Sequence, residues 1–162
     1  MKCVRFESKR VVALIALAVV ALVSLVPKSE AANVYVSGAI CTEFGKPAAQ
    51  STDVIVILNR IKNDGPSSRQ VVCAVPRSPA VPVVADSGVI IHGINTPSGA
   101  TSCTVHVQNP VSTVVSKTDI TFDAQYHLRI PLNSNELPFD AIVAVVCQLP
   151  PGGILTGITL VQ

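Results

Sequence analysis

Apolar and polar residues alternate in several short segments of the chain. In Thr101–Gln108, the side chains of Cys103, Val105 and Val107 lie on one face, and polar side chains lie on the other. The later segment Asp123–Pro131 alternates in the same way. A period of two residues is typical of a β-strand that has one buried face and one exposed face.

Other segments are rich in β-branched residues and are separated by turn residues, as expected of strands. No window keeps a 3.6-residue apolar period for three turns after the first thirty residues, so no helix is predicted there. The predicted strands are Asn33–Ile40, Asp53–Ile61, Arg69–Pro76, Gly88–Ile94, Thr101–Gln108, Val111–Thr121, Asp123–Pro131, Ala141–Leu149 and Ile154–Val161. Roughly eight or nine short strands predict an all-β fold, an antiparallel β-sandwich of jelly-roll-like or Ig-like type.

The first 31 residues have the pattern of a signal peptide. Four basic residues precede the apolar run Val11–Val26, and Ser29 and Ala31 supply small residues for cleavage after Ala31. An uncleaved membrane anchor is the alternative, but the run is shorter than the roughly 20 residues that span a bilayer. We therefore predict a signal peptide at 1–31 and one β-sandwich domain at 32–162, in a secreted or periplasmic protein without a membrane span after cleavage.

Removal of the signal peptide changes the charge of the chain. The whole chain has a formal net charge of +2, whereas residues 32–162 contain seven basic and eight acidic residues, a net charge of −1. No basic cluster remains to bind phosphates, so nucleic acid is not a predicted partner.

Four cysteines follow the signal peptide: Cys41, Cys73, Cys103 and Cys147. An even number of cysteines in an exported domain predicts two disulfides. Three pairings are open to them, and the sequence alone does not choose; we favour Cys41–Cys73 and Cys103–Cys147. Cys103 and His106 have the C-x-x-H spacing of zinc ligands, but no second close-spaced pair accompanies them, so no metal site is predicted.

Candidate catalytic groups are few. Asp119 and Asp123 flank Phe122 and precede His127, an arrangement that would suit a carboxylate pair or a hydrolase. Neither G-x-S-x-G nor H-E-x-x-H occurs in the chain. We predict no enzyme, no catalytic residue and no cofactor.

The histidines and exposed aromatic residues suggest binding rather than catalysis. His106 and His127 fall on polar strand faces, where outward histidines on adjacent strands would bind a metal or titrate. His92 lies among isoleucines, and we expect it to be partly buried and hydrogen-bonded. Phe44 and Phe139 are the aromatic residues expected to be exposed, and they mark a candidate ligand surface for a carbohydrate.

Apolar residues on both strand faces indicate a further surface. Asp53–Leu58 and Ile142–Val146 are apolar on both faces, and one sandwich has limited interior in which to bury them. We therefore expect an unknown protein or glycan partner, and self-association is a further expectation.

Three cysteine motifs follow the signal peptide and the early Cys41. They are V-V-C-A-V-P-R at Val71–Arg77, T-S-C-T-V at Thr101–Val105 and V-V-C-Q-L-P at Val145–Pro150. In this order the chain resembles a group of small secreted, four-cysteine β-proteins of Gram-negative bacteria whose function is uncharacterised. The resemblance implies two disulfides and a β-sandwich, and it carries no catalytic or binding residues.

The predicted function is a non-catalytic structural or protein-interaction role in the cell envelope or medium. The alternatives are a carbohydrate-binding module and, after it, a secreted hydrolase.

Overall fold

The structure, a computed structural model, describes residues 33–46, 52–77, 86–97, 99–109, 113–138 and 140–162. Within these ranges the chain forms eleven β-strands and short 3-10 turns. The predicted signal peptide and the predicted exposure of Phe139 lie outside these residues. The strands are β1 (Val34–Ser37), β2 (Thr42–Glu43), β3 (Val54–Ile57), β4 (Arg60–Asn63), β5 (Arg69–Val75), β6 (Gly88–Ile94), β7 (Thr101–Gln108), β8 (Thr113–Thr121), β9 (Gln125–Pro131), β10 (Ile142–Leu149) and β11 (Ile154–Val161).

The structure has more strands than the eight or nine expected, because one predicted strand is divided in two and the two-residue strand β2 was not predicted. The predicted strand Asp53–Ile61 is a hairpin, in which Leu58 and Asn59 form the turn between β3 and β4. No glycine or proline marks this turn, so the sequence did not reveal it. The predicted strand Asn33–Ile40 ends at Ser37, whose hydroxyl accepts a hydrogen bond from the Ala39 amide (3.2 Å) and begins a 3-10 turn.

The strands form two antiparallel sheets in a sandwich-like arrangement. Sheet A has the order β3-β4-β11-β6-β9, and β1 also pairs with β11. Sheet B has the order β2-β5-β10-β7-β8. The predicted all-β sandwich is therefore confirmed.

The core lies between the inner faces of the two sheets, and the alternating residues of each strand fill it. On β7, Cys103, Val105 and Val107 are fully buried, as their period of two predicted. On β11, Leu155, Ile158 and Leu160 are equally buried; a bulge between Leu155 and Gly157 shifts the inward register by one residue. Each such aliphatic side chain contributes about 1.5–3 kcal/mol when it is fully buried.

Both disulfides join neighbouring strands of sheet B, and the favoured pairing is confirmed. Cys103 on β7 lies directly opposite Cys147 on β10, with a Cα–Cα distance of 4.1 Å. Cys41, one residue before β2, bonds to Cys73 on β5 over a Cα–Cα distance of 4.3 Å. All four side chains are buried, so each bridge reinforces one sheet from its inner face.

Within the described ranges, no helix is long and apolar enough to cross a membrane.

Candidate functional site

Two histidines face each other on the outer surface of sheet A. His92 on β6 lies directly opposite His127 on β9 in the antiparallel ladder. Their Nδ1 atoms are 2.6 Å apart, and the rings meet edge to face with centroids separated by 4.9 Å. The Nε2 atom of His92 contacts the hydroxyl of Thr159 on the neighbouring strand β11, at 3.1 Å. We call His92 and His127 the histidine pair.

The environment of His92 favours its neutral form. Burial lowers the pKa of His92 below its usual value of 6.5, and repulsion by His127 lowers this pKa further. A neutral imidazole has one N–H donor and one acceptor nitrogen, so one ring of the histidine pair donates to the other. The expectation that His92 is partly buried and hydrogen-bonded is confirmed.

The outer surface around the histidine pair carries one cation and one aromatic ring. Arg129 lies two residues beyond His127, and its guanidinium donates to the carbonyl oxygen of Asp86 (2.8 Å), before the start of β6 and away from His92. On the same face, Tyr35 of β1 lies opposite Thr159. Tyr35 is 59% exposed, and its hydroxyl donates to the carbonyl oxygen of Thr156 (3.3 Å). Its ring covers Gly157, where a side chain would collide with it.

His106 is not part of this surface, and it does not lie on a strand adjacent to that of His127. His106 lies on β7 in sheet B, where its Nδ1 atom contacts the hydroxyl of Ser116 (3.2 Å). β9, which carries His127, pairs with β6 of the other sheet. Sequence alternation predicts the face of each histidine but contains no information on which strands are neighbours.

The candidate catalytic carboxylates have separate partners. The carboxylate of Asp119 accepts a hydrogen bond from the backbone amide of Ile120 (2.8 Å), and that of Asp123 accepts from the hydroxyl of Thr121 (3.4 Å). His127 instead contacts His92. The described hydrogen bonds therefore do not assemble these three groups into a catalytic arrangement.

The exposed aromatic residues are distributed over different parts of the surface. Phe44, which follows β2, is 57% exposed, in agreement with its predicted exposure. Phe122, between β8 and β9, is 77% exposed and was not predicted to be so. Tyr126 is buried, and burial raises its pKa to about 12. Tyr35 and Phe122 were missed because strand ends and junctions give no periodic signal.

The hairpin of β3 and β4 ends in an apolar tip, formed by Val56, Ile57 and Leu58, which we call the hairpin tip. Leu58 is 85% exposed and has a φ angle of 56°. This left-handed conformation costs a branched residue about 1–2 kcal/mol. The hydroxyl of Ser37 donates to the carbonyl oxygen of Asn59 (2.6 Å) and holds the turn in place. Strained, exposed apolar residues of this kind are typical of contact sites.

Both edge strands of sheet B carry charges that β3 lacks. On β8, Lys117 contacts Glu136 (2.6 Å) and the carbonyl oxygen of Pro131 (3.0 Å) at the end of β9. On β2, Glu43 pairs with Lys46 (3.3 Å). Charges at an edge discourage the pairing of further strands. β3, the terminal strand of sheet A, has the sequence V-I-V-I, which contains no charged residue.

A metal centre of three or more protein ligands is not found in the described part of the chain, because no three His, Cys, Asp or Glu side chains there are suitably grouped. No family model matches the chain, and no curated protein is similar enough to it to count as a match.

Proposed function

We propose that the chain is an exported, non-catalytic β-sandwich protein with a structural or protein-interaction role in the cell envelope or the medium. Two buried disulfides support export, because such bonds persist in oxidising compartments and are rare in the cytosol. The signal-peptide pattern and the resemblance to small secreted four-cysteine proteins of Gram-negative bacteria support the same compartment. The observation that carries the interaction role is the uncharged edge strand β3.

The edge of β3 offers both backbone groups and apolar side chains to an added strand. Ile57 and Arg60 close a two-residue turn, and closing pairs of this kind exchange hydrogen bonds with each other. Because the hydrogen-bonding direction alternates along a strand, Val56 directs its N–H and C=O groups away from β4. Val56 is also 56% exposed, although it shares a strand face with the buried Val54.

The occupant that this edge fits is a second copy of itself. An antiparallel pair about a twofold axis at Val56 places Ile55 opposite Ile57 of the other copy. The paired segment V-I-V-I contains no charged residue, so no like charges meet along it. Identical edges satisfy each other in such an isologous contact. The protein is therefore proposed to act as a self-associating structural unit.

Sedimentation over a range of protein concentrations tests this contact. The wild type is expected to dimerise as its concentration rises, and Val56→Lys is expected to remain monomeric. Ile120→Lys is the matched control, because Ile120 is an equally exposed isoleucine on the edge strand β8. A wild type that is monomeric throughout, or a Val56→Lys variant that still dimerises, contradicts the proposal.

Export is tested by the intact mass of the protein in fractionated cells and medium. The expected chain begins at Ala32 and lacks two hydrogens for each disulfide relative to its reduced form. An intact N-terminus would instead support a membrane anchor. Hydrolysis of glycans or esters that disappears in Asp123→Ala or His127→Ala would overturn the non-catalytic assignment.

Carbohydrate binding is the second candidate, and the exposure of Phe44 favours it. An exposed ring is the kind of platform on which a sugar ring stacks, and Tyr35 offers another. A glycan array would show saturable binding that Phe44→Ala or Tyr35→Ala removes. An array without binding excludes this candidate.

A further inference from the structure

We propose that His92 and His127 bind one divalent transition-metal ion, of the class of Cu²⁺, Ni²⁺ and Zn²⁺, on the outer face of sheet A. This site is separate from the β3 edge and does not depend on the proposed self-association. It was not foreseen in the sequence, because strands β6 and β9 are neighbours only in the folded sheet.

The geometry of the histidine pair suits a shared ion. The two Nδ1 atoms already converge, at a distance of 2.6 Å. Two imidazole nitrogens on a tetrahedral zinc ion, each about 2.0–2.1 Å from the metal, are about 3.3 Å apart. Separation of the rings by roughly 0.7 Å therefore admits an ion, and small side-chain rotations on the sheet surface achieve it.

Thr159 fixes the orientation of one ligand. Its hydroxyl lies 3.1 Å from Nε2 of His92, the nitrogen that the metal would not use. Metal-binding histidines usually hydrogen-bond through this second nitrogen, which selects the tautomer and the ring orientation. The ladder between β6 and β9 fixes the backbone of both histidines, so the site is largely formed before the ion binds.

The local charges are compatible with a cation. The other described hydrogen-bond partner of His92, the hydroxyl of Thr159, is uncharged. Arg129, two residues beyond His127 on β9, directs its guanidinium to the carbonyl oxygen of Asp86 and away from His92.

Two protein ligands leave the remaining coordination positions to water, since no third His, Cys, Asp or Glu joins the pair within the described residues. The site is therefore expected to be exchangeable. Among divalent ions, Cu²⁺ is expected to bind most tightly, because N-ligand sites generally follow the Irving–Williams order.

The test is a titration of the exported protein, purified without a histidine tag, with Cu²⁺ as the probe. Calorimetry measures the affinity, and pulsed electron paramagnetic resonance counts the coordinated imidazoles. The wild type is expected to bind one ion through two imidazoles. His92→Asn and His127→Asn are each expected to leave one imidazole coordinated to the ion and to weaken binding by at least about tenfold. Thr159→Val is expected to weaken binding by about tenfold while both imidazoles remain coordinated.

His106→Asn is the matched control, because it removes a histidine from the outer face of sheet B and leaves the histidine pair intact. Circular dichroism and the count of free thiols establish that each variant is folded and oxidised. A single coordinated imidazole in the wild type, unchanged affinity in His92→Asn, or an equal loss in His106→Asn would each overturn the proposal.

Discussion

The side-chain amide of Asn63, at the end of β4 in sheet A, donates to the carbonyl oxygen of Leu149, at the end of β10 in sheet B, over 3.0 Å. The same NH₂ group also contacts the carbonyl oxygens of Pro150 (3.0 Å) and Ser67 (2.9 Å). The Oδ1 atom accepts from the backbone amide of Gly65 (3.1 Å). One fully buried side chain thus connects two sheets and a turn.

Asn63→Ala is expected to lower the free energy of unfolding by about 3 kcal/mol or more, because it leaves several buried polar groups without a partner. Urea denaturation measures this loss. Asn135→Ala, at an exposed position, is the control and is expected to change stability by less than about 0.5 kcal/mol. A loss below about 1 kcal/mol at Asn63 would show that water replaces the amide group.

Leu58→Asn is expected to stabilise the folded chain by roughly 0.5–1 kcal/mol, because asparagine tolerates positive φ better than leucine does. The same change removes an apolar side chain from the hairpin tip and is expected to weaken self-association. Thermal unfolding and sedimentation of one sample measure the two effects. Ile40→Asn, an exposed isoleucine in the neighbouring 3-10 turn, should bring no gain in stability. Loss of stability in Leu58→Asn would indicate that the φ angle imposes no strain.

Removal of either disulfide as a pair of alanines is expected to cost about 4 kcal/mol, since the cross-linked cysteines are 32 and 44 residues apart. The local consequences should differ. β2 pairs with β5 at only two positions, so loss of Cys41–Cys73 should release β2 and speed hydrogen exchange of its amides. β7 and β10 pair along their lengths, so loss of Cys103–Cys147 should leave their local protection intact. Equal exchange in both variants would contradict this.

Acidification is expected to destabilise the fold through His92. Its pKa in the folded state is lower than in the unfolded state, so the unfolded chain binds the proton more readily. The stability that neutral His92 contributes is complete above pH 6.5 and is lost as the pH falls from 6.5 through the lower pKa of the folded state. On β9, His127 contacts His92 and Arg129 directs its guanidinium to the carbonyl oxygen of Asp86, while the contact of His92 on β11 is the uncharged Thr159.

Urea denaturation of the wild type and His92→Asn at several pH values measures this effect. The variant is expected to show a shallower loss of stability below pH 6.5. His106→Asn is the control and should follow the wild type. Identical pH profiles for the wild type and His92→Asn would show that the histidine pair accepts a proton without cost to the fold.

Features that depend on the pattern within one strand could be predicted from the sequence, whereas features that depend on contacts between distant segments could not. The burial of Cys103, Val105 and Val107 follows from a period of two, which is a property of a single strand. The burial of Asn63 does not follow from such a period, because its side-chain amide donates to the carbonyl oxygens of Leu149 and Pro150, which are distant in the sequence. By its sequence Asn63 resembles an ordinary turn residue.

The sequence by itself determined the all-β class, the faces of the alternating strands and an even set of cysteines that favours two disulfides. These three features depend on local periodicity and composition, which are the same for any order of the strands in the sheets. Only the tertiary structure decided that His92 meets His127, that His106 lies on the other sheet and that Leu58 is exposed at the turn of a hairpin. Strand neighbours and register are set by the summed packing of both sheets, and no single segment encodes them.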